Sequence, residues 1–341
     1  MKRNNWGLVF LAIGVALFVG YIVYSNPFAV LTEVGRFDPW MFLAAIGVNY
    51  AGLVFLSASW HILLRSLGFK NSLWESIQVS FVGLFVVWML PFPSGFELVR
   101  AYLIRDKEGG NIGKAVSSVI VSKVYYFISF GLMISLAAII IRFVNGSDIP
   151  IQVGFIWFAV LFALSNMIMF AVILTPRIMM WLYERSPEWL NNMMRKRIYS
   201  ASFGLSSFKQ FIDEIQDSLK TLRKRPLENL FSLFLVGFHW STGAITAYMV
   251  SISLNEPINF WVIVLIYAVI EFIQQLNFLI PGGLGVVDAG LAGAFVVVGV
   301  PLEVAGAISL LTRLATYWSE LVLCGFVSFR FGYREALKGL S

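Results

Sequence analysis

The stretch Pro281-Gly282-Gly283-Leu284-Gly285 decides the fold, because it interrupts a long apolar segment with residues that break helices. A second such stretch, Pro91-Phe92-Pro93-Ser94-Gly95, lies 190 residues earlier in another apolar segment. A cation follows inside an apolar run 28 residues past the last glycine of each, Lys123 and Arg313 respectively. Lipid cannot pair broken backbone, so such elbows face protein or a wet cavity. The pattern predicts a duplicated membrane unit of the kind from which secondary transporters build a binding site.

The composition is that of an integral membrane protein. Of the 341 residues, 59% are hydrophobic and 13% are charged, whereas a soluble chain carries about 25% charged residues. A single Cys rules out an intrachain disulfide framework, and two His without a Cys/His cluster argue against a metal site. The net charge of +6 does not indicate nucleic-acid binding, because the cations lie beside apolar runs. We expect neither a metal nor another cofactor.

Ten apolar runs follow one another along the chain: 6–24, 39–64, 75–90, 95–104, 113–143, 152–175, 230–254, 259–280, 286–300 and 302–329. Six are long enough to cross a bilayer, since a helical span needs about 20 residues. The other four form two pairs, each joined by an elbow. We therefore predict an all-α polytopic membrane protein with about six full spans and two helical hairpins broken at Pro/Gly elbows. Re-entrant hairpins and full crossings both return the chain to its starting side, so the sequence leaves that choice open.

The positions of the cations predict the orientation. Most of the 25 Lys and Arg residues fall on one side if the N-terminus is cytoplasmic, and cytoplasmic loops carry such an excess. Both termini are then cytoplasmic, and the protein lies in the inner (cytoplasmic) cell membrane. The first hairpin enters from the cytoplasm and the second from outside, so the repeat units, about 75–143 and 265–333, are predicted to be inverted. The whole chain, 1–341, is predicted to form a single transmembrane domain.

One long polar stretch, 176–229, carries apolar residues at helical spacing. It predicts a cytoplasmic amphipathic helix whose apolar face lies on the membrane surface. The run Arg223-Lys224-Arg225 is expected to attract anionic lipid headgroups at the cytoplasmic face. Docking of a partner is the alternative.

Charged and polar side chains inside apolar runs mark the candidate site, because a charge at the bilayer centre costs about 2.5–3.5 kcal/mol. The candidate substrate-binding residues are Arg313, Arg100, Lys123, Glu97, Asp288, Glu271, Gln274, Gln275 and Tyr317. The elbow backbone is assigned to Pro91, Pro93, Gly95, Pro281, Gly282, Gly283 and Gly285. Glu320, two helical turns past Arg313, receives no role.

Two interpretations of these charges compete. They are either ion pairs that fix helix register, such as Glu97 with Arg100 or Arg313 with Glu271 or Asp288, or the lining of a polar cavity. Matched elbows and matched cations favour the cavity for the set as a whole. Arg suits a phosphate headgroup because its planar fork donates bidentately, and the helix ends after each elbow add backbone N–H donors.

The residues around the second elbow resemble the lysylphosphatidylglycerol synthase/flippase transmembrane-domain family. The resemblance covers essentially the whole chain. It is carried by Pro281-Gly282-Gly283-Leu284-Gly285-Val286-Val287-Asp288, by Leu310-Leu311-Thr312-Arg313 and by Gly95-Phe96-Glu97-Leu98-Val99-Arg100. The chain departs from the family pattern with Lys123 where Arg is typical, with Asp288 where Glu is common, and with one extra residue between Gly95 and its acid.

The resemblance implies translocation of a phospholipid, such as an aminoacylated phosphatidylglycerol, between leaflets. Two-part relatives carry a soluble aminoacyl transferase domain after the membrane domain, so we expect no such synthesis from this chain by itself. The absence of a catalytic motif favours a translocase over an enzyme. The alternatives are a membrane subunit that presents a lipid to a separate transferase and a secondary carrier for a small anionic solute. A homo-oligomer and a transferase partner are both left open.

Overall fold

A computed structural model of the chain describes residues 6–89, 95–108, 112–144, 161, 164–165, 168, 175–185, 205–276 and 280–338. The predicted all-α class is confirmed, since the regular elements of these residues are helices and none is a strand. In chain order the helices are α1 (Trp6–Tyr24), α2 (Pro27–Val34), α3 (Pro39–Ser66), α4 (Leu73–Met89), α5 (Gly95–Glu108), α6 (Ile112–Val144), α7 (Pro176–Arg185), α8 (Leu205–Arg223), α9 (Pro226–Ser253), α10 (Phe260–Leu276), α11 (Val286–Val297), α12 (Leu302–Arg313) and α13 (Ser319–Lys338). A short 3-10 turn, Pro281–Gly283, precedes α11, and a π-helical turn, Leu314–Trp318, joins α12 to α13.

Four helical segments of the described chain are long and apolar enough to cross a membrane: α3, Ile112–Phe143 of α6, α9, and Leu302–Gly332 through α12 and α13. A fifth is added if α1 and α2, bent by 81° at their junction, form one span. The helices α4, α10 and α11 have 17, 17 and 12 residues. They are therefore about 18–26 Å long at 1.5 Å per residue, less than the ~30 Å hydrocarbon core. The run 152–175 falls largely outside the described residues, so the count of six spans stays a prediction.

Local sequence signals set where several helices begin. Pro39 opens α3 behind Asp38, whose Oδ1 accepts the Trp40 N–H at 2.8 Å. A reciprocal capping box opens α4, because Ser72 Oγ accepts the Glu75 N–H at 3.2 Å and the Glu75 carboxylate accepts the Ser72 N–H at 2.7 Å. Proline suits the first helical turn, where a backbone donor has no intrahelical partner. These starts are readable from short-range sequence alone.

Two series of helices match in length and spacing. The helices α3 and α9 both have 28 residues, and α4 and α10 both have 17. The members of each pair start 187 residues apart, whereas α6 and α12, which follow the elbows, start 190 apart. The difference of three residues arises between α10 and the second elbow. The predicted units 75–143 and 265–333 thus each have a 28-residue helix before them, which a search at one constant offset does not reveal.

The helices α3 and α9 form the most extensive interface between described helices, and they run antiparallel. The hydroxyls of Ser59 and Ser232 are 2.7 Å apart, and the Thr246 hydroxyl donates to the Ala45 carbonyl at 3.3 Å. At the offset of 187, Ser59 corresponds to Thr246 and Ala45 to Ser232. The two hydrogen bonds therefore exchange equivalent positions, as the contacts across a two-fold axis do.

The helices around the elbows also contact one another reciprocally. The helix α4 packs against α5, and α10 packs against α11, as the two arms of a hairpin do. Across the two series, α6 contacts α10 while α13 contacts α4. A large apolar core that includes Phe130, Trp240, Phe295 and Ile308 fills the space between α6, α9, α11 and α12. The elbows are thereby held inside the bundle.

The amphipathic helix predicted within 176–229 is present as α8, but its apolar face lies against protein. Ile212, Ile215 and Leu222 are buried, and α8 contacts α6, α9, α3 and α7. The Glu214 carboxylate also accepts the backbone N–H of Gly113 at the start of α6, at 3.1 Å. The expectation that this face lies on lipid is therefore corrected, since burial against the bundle already removes it from water.

Replacing Gly52 tests the close approach of α3 and α9. A Cβ at this position would overlap the Thr242 side chain, so Gly52→Ala is expected to lower the free energy of unfolding by about 1–3 kcal/mol, the range for overpacking. Gly47 lies on the same helix, and a Cβ there meets open space. Gly47→Ala is therefore expected to be neutral or to stabilise by up to about 1 kcal/mol. Thermal unfolding of the purified variants measures both effects, and equal melting temperatures would contradict the packing.

Candidate functional site

The second elbow depends on three glycines with left-handed backbone. Gly282, Gly283 and Gly285 have φ of 59°, 65° and 78°, a region that residues with a Cβ rarely adopt. Space is restricted as well, because a Cβ on Gly282 would overlap the Tyr317 ring and one on Gly285 would press against the backbone of α1. The predicted helix break at Pro281 is therefore confirmed, and its walls are α1 and the π turn.

Arg313 joins this elbow to the long helix α12–α13. Its Nε donates to Asp288 Oδ1 at 3.1 Å and its Nη2 donates to the Gly282 carbonyl at 2.7 Å. The guanidinium carbon lies 4.4 Å from the centre of the Tyr317 ring. Only 5% of the Arg313 side chain and 1% of the Asp288 side chain are exposed. Arg313 thus lies at the elbow, as predicted, but in a closed ion pair.

Asp288 uses both carboxylate oxygens within the same cluster. While Oδ1 accepts from Arg313, Oδ2 accepts the Gly285 N–H at 2.9 Å and so caps the first turn of α11. The backbone carbonyl of Asp288 accepts the Ser309 hydroxyl of α12 at 2.8 Å. Of the pairings considered from the sequence, Asp288 with Arg313 is the one that forms. This arrangement fixes α11, α12 and the elbow relative to one another.

The first elbow is followed by an equivalent pair. Pro91 and Pro93 lie outside the described residues, and Gly95 begins α5. Glu97 Oε1 lies 3.0 Å from Lys123 Nζ, with 15% and 27% of the respective side chains exposed. In each series, a cation of the long helix pairs with an acid on the helix after the elbow. The salt bridge of Glu97 is therefore with Lys123, and the predicted pairing of Glu97 with Arg100 is wrong.

Arg100 is the exceptional cation of this cluster. The residue is 1% exposed, and its guanidinium carbon lies 4.2 Å from the Trp60 ring centre and 4.4 Å from that of Phe96. Nε and Nη1 have no hydrogen-bond partner in the described chain. A buried charge without an acceptor is unfavourable by several kcal/mol. Arg100 therefore presents unused donors in a buried, aromatic setting.

The remaining predicted residues divide between the two clusters. The Tyr126 hydroxyl of α6 interacts with Glu271, and Glu97 also lies within electrostatic range of it. Lys123 Nζ lies 5.4 Å from the Tyr126 ring centre. Glu271 is thus linked to the Lys123 cluster, and the alternative that it pairs with Arg313 is wrong. Gln274 is half-buried on α10, whereas the side chain of Gln275 lies outside the described part.

Sequence reasoning missed the aromatic and amide residues that surround the charges. Asn49 Nδ2 and Trp88 Nε1 donate to the Glu320 carboxylate at 2.8 and 3.3 Å. Trp88, at the end of α4, also packs edge-on against Tyr317, with ring centres 5.2 Å apart. An amide within the apolar run of α3 was a usable signal for Asn49. No short-range signal distinguishes Trp60 or Trp88 from lipid-facing aromatics.

Comparisons with known proteins agree with the membrane architecture. A profile described as the lysylphosphatidylglycerol synthase TM region matches residues 11–324. A UPF0104 membrane protein of Methanothermobacter thermautotrophicus is 23% identical over 334 residues, which cover 95% of this chain and 92% of the relative. A UPF0104 membrane protein of Pyrococcus horikoshii is 22% identical over 337 residues, covering 93% of this chain and 95% of the relative. These relatives and the apolar helices make this chain an integral membrane protein.

Proposed function

The chain belongs to the lysylphosphatidylglycerol synthase transmembrane-region family, and we propose that it is a lipid translocase. It moves a phospholipid, or a related lipid-linked headgroup, between the leaflets of the cytoplasmic membrane, and both its termini are cytoplasmic. The observation that carries this proposal is Arg100, a buried guanidinium whose Nε and Nη1 have no acceptor in the described chain. A headgroup phosphate supplies the missing acceptors, because Arg donates to phosphate through its planar fork.

The charge of the first cluster suits a phosphodiester. Glu97 and Lys123 neutralise each other at 3.0 Å, so Arg100 leaves the cluster with one net positive charge. The phosphodiester of a phospholipid carries one negative charge, and binding it removes the penalty of an unpaired buried cation. The Trp60 and Phe96 rings hold the guanidinium between them, which keeps its donors oriented toward the incoming oxygens.

The helix arrangement supports alternating access by inverted repeats. Antiparallel packing of α3 and α9, with exchange of equivalent contacts, is expected when two units are related by a two-fold axis in the membrane plane. The reciprocal contacts of α6 with α10 and of α13 with α4 fit the same axis. In this proposal the two elbows are re-entrant hairpin tips that enter from opposite sides. The closed Asp288–Arg313 pair then belongs to a conformation in which the second elbow is shut.

A cleft at the end of α3 is suited to the lipid surface on the cytoplasmic side. It has a volume of about 420 Å3 and is lined by Ser66, Lys114, Ser218, Thr221 and Arg225, among others. Hydroxyls and two cations together favour an anionic headgroup. Since the apolar face of α8 packs on protein, we assign the contact with anionic lipid to this cleft rather than to that face.

Reconstitution of the purified chain into vesicles tests the proposal. Transfer of a labelled phospholipid from the inner to the outer leaflet is expected to be faster than in protein-free vesicles, while trapped inorganic phosphate stays inside. Lipid transfer at the protein-free rate would contradict the proposal. Movement only after addition of a transferase fraction would favour the presenting subunit, and release of free phosphate without lipid transfer would favour a small-anion carrier.

A further inference from the structure

Glu320 is a buried carboxyl group that no cation neutralises directly. It is 6% exposed, and its two oxygens accept from neutral donors, Asn49 Nδ2 at 2.8 Å and Trp88 Nε1 at 3.3 Å. It takes part in no salt bridge of the described chain, whereas Asp288 and Glu97 are each paired with a cation. An ionisable residue inside a membrane bundle is rare and calls for a function.

The ionisable groups that face Glu320 do not remove this anomaly. Arg313 lies seven residues earlier on the same long helix and acts on Glu320 electrostatically, but its Nε and Nη2 donate to Asp288 and Gly282. Tyr267 of α10 and Cys324 of α13 also lie within electrostatic range. From α3 and α4 the facing groups are the neutral Asn49 and Trp88. The site therefore suits a group that changes between ionised and neutral forms.

Glu320 also lies at the junction of the two elbows. Trp88, which binds its carboxylate, ends α4 just before the first elbow and packs on Tyr317. Tyr317 in turn packs on Arg313 at the second elbow. The π turn Leu314–Trp318 directly precedes Glu320, and such turns are frequent at functional sites. A change of charge at Glu320 thus reaches both elbows through one or two contacts.

The two halves of the molecule differ at this position. At the offset of 190 residues, the counterpart of Glu320 is Phe130, which is fully buried in the apolar core. A carboxyl in one half only is not needed for the shared helix packing, since the equivalent place in the other half is apolar. This asymmetry points to a role that only one of the two elbows performs.

We propose that Glu320 takes up a proton from one side of the membrane and releases it to the other, and that this proton drives lipid movement. Protonation converts one carboxylate oxygen from an acceptor into a donor. One of the two N–H donors then loses its acceptor, and the longer bond, to Trp88, is the one expected to open. The release of Trp88 frees the end of α4 and its contact with Tyr317, so the elbows rearrange. The coupling rests on the proposed lipid translocation, whereas proton binding itself does not.

Vesicles with an imposed pH gradient test the coupling. If one proton moves with each lipid, a gradient of one pH unit shifts the leaflet distribution of the lipid by about tenfold. Glu320→Gln keeps the size of the side chain but cannot change charge, so its distribution is expected to be independent of the gradient. Glu256→Gln, at an exposed loop position, is the matched control and is expected to respond as the wild type does. A gradient response in Glu320→Gln, or none in the wild type, would overturn the coupling.

Infrared difference spectroscopy on the purified protein tests proton binding without transport. Acidification is expected to produce a protonated-carboxyl band in the wild type and in Glu256→Gln that Glu320→Gln lacks. If this band is unchanged in Glu320→Gln, Glu320 is not the proton site. If the wild type moves no lipid, the proposed function and the coupling both fail, and the band still decides whether Glu320 holds a proton. If Glu320→Gln does not fold, Glu320→Asp replaces it, with the band expected to persist at a shifted position.

Discussion

Arg100→Met is expected to slow phospholipid translocation by about ten- to a hundredfold. A hydrogen bond to a charged group contributes about 1.5–3 kcal/mol, and each 1.4 kcal/mol corresponds to a factor of ten. The same substitution is expected to raise the melting temperature, because it removes a buried cation whose Nε and Nη1 have no acceptor in the described chain. Opposite changes in activity and stability are the result that separates a binding residue from a packing residue.

The measurement combines leaflet transfer in vesicles with thermal unfolding of the same preparations. Arg100→Lys is expected to give an intermediate rate, because an ammonium keeps the charge but not the bidentate fork. Arg105→Met is the matched control, since Arg105 lies on the same helix and stacks on Tyr102 at 5.1 Å. It is expected to leave translocation unchanged. Wild-type rates in Arg100→Met would remove Arg100 from the phosphate site, and a lowered melting temperature would show that its role is structural.

Asp288→Ala is expected to lower the free energy of unfolding by about 3–5 kcal/mol. Removing one partner of a buried ion pair leaves the other charge uncompensated, and this loss is larger than the value of the pair itself. Arg313 would keep only its bond to the Gly282 carbonyl. Loss of the cap on the Gly285 N–H adds to the effect, by about 1 kcal/mol. The measurement is thermal or denaturant unfolding of the purified variant in detergent.

Two comparisons show whether the buried charge is the cause. The double variant Asp288→Leu with Arg313→Met is expected to recover most of the lost stability, because no unpaired charge remains. Glu33→Ala breaks the pair of Glu33 with Arg36, in which 65% of the Arg36 side chain is exposed. It is expected to change stability by less than about 1 kcal/mol. A double variant no more stable than Asp288→Ala would mean that the lost cap, and not the unpaired Arg313, accounts for the loss.

The parts that were predictable depend on short-range chemistry. The second elbow was predicted because Pro281 and the glycines after it cannot continue a helix in lipid, and their left-handed backbone agrees. The helix starts at Asp38 and at Ser72 follow from caps that involve residues two or three positions apart. The placement of Arg313 beside the second elbow and of Glu97 beside Lys123 also reflects a repeated spacing along the chain.

The choice of partners was not predictable in the same way. Arg313 had Glu271 and Asp288 as candidates, and Glu97 had Arg100 as its nearest cation in sequence. Which acid reaches which cation depends on helix rotation and on distances between helices, and these follow from packing of the whole bundle. The full repeat was also hidden, because three additional residues before the second elbow change the offset from 190 to 187.

The amino-acid sequence by itself determined that the chain is helical, embedded in a membrane and broken at a glycine elbow. These properties follow from composition and from backbone preferences of neighbouring residues. Only the tertiary structure decided that Arg313 is closed in an ion pair while Arg100 is held between Trp60 and Phe96 with donors unused. The reason is physical: burial and pairing of a charge depend on side chains from other helices, and no periodicity along one helix specifies which of them arrive.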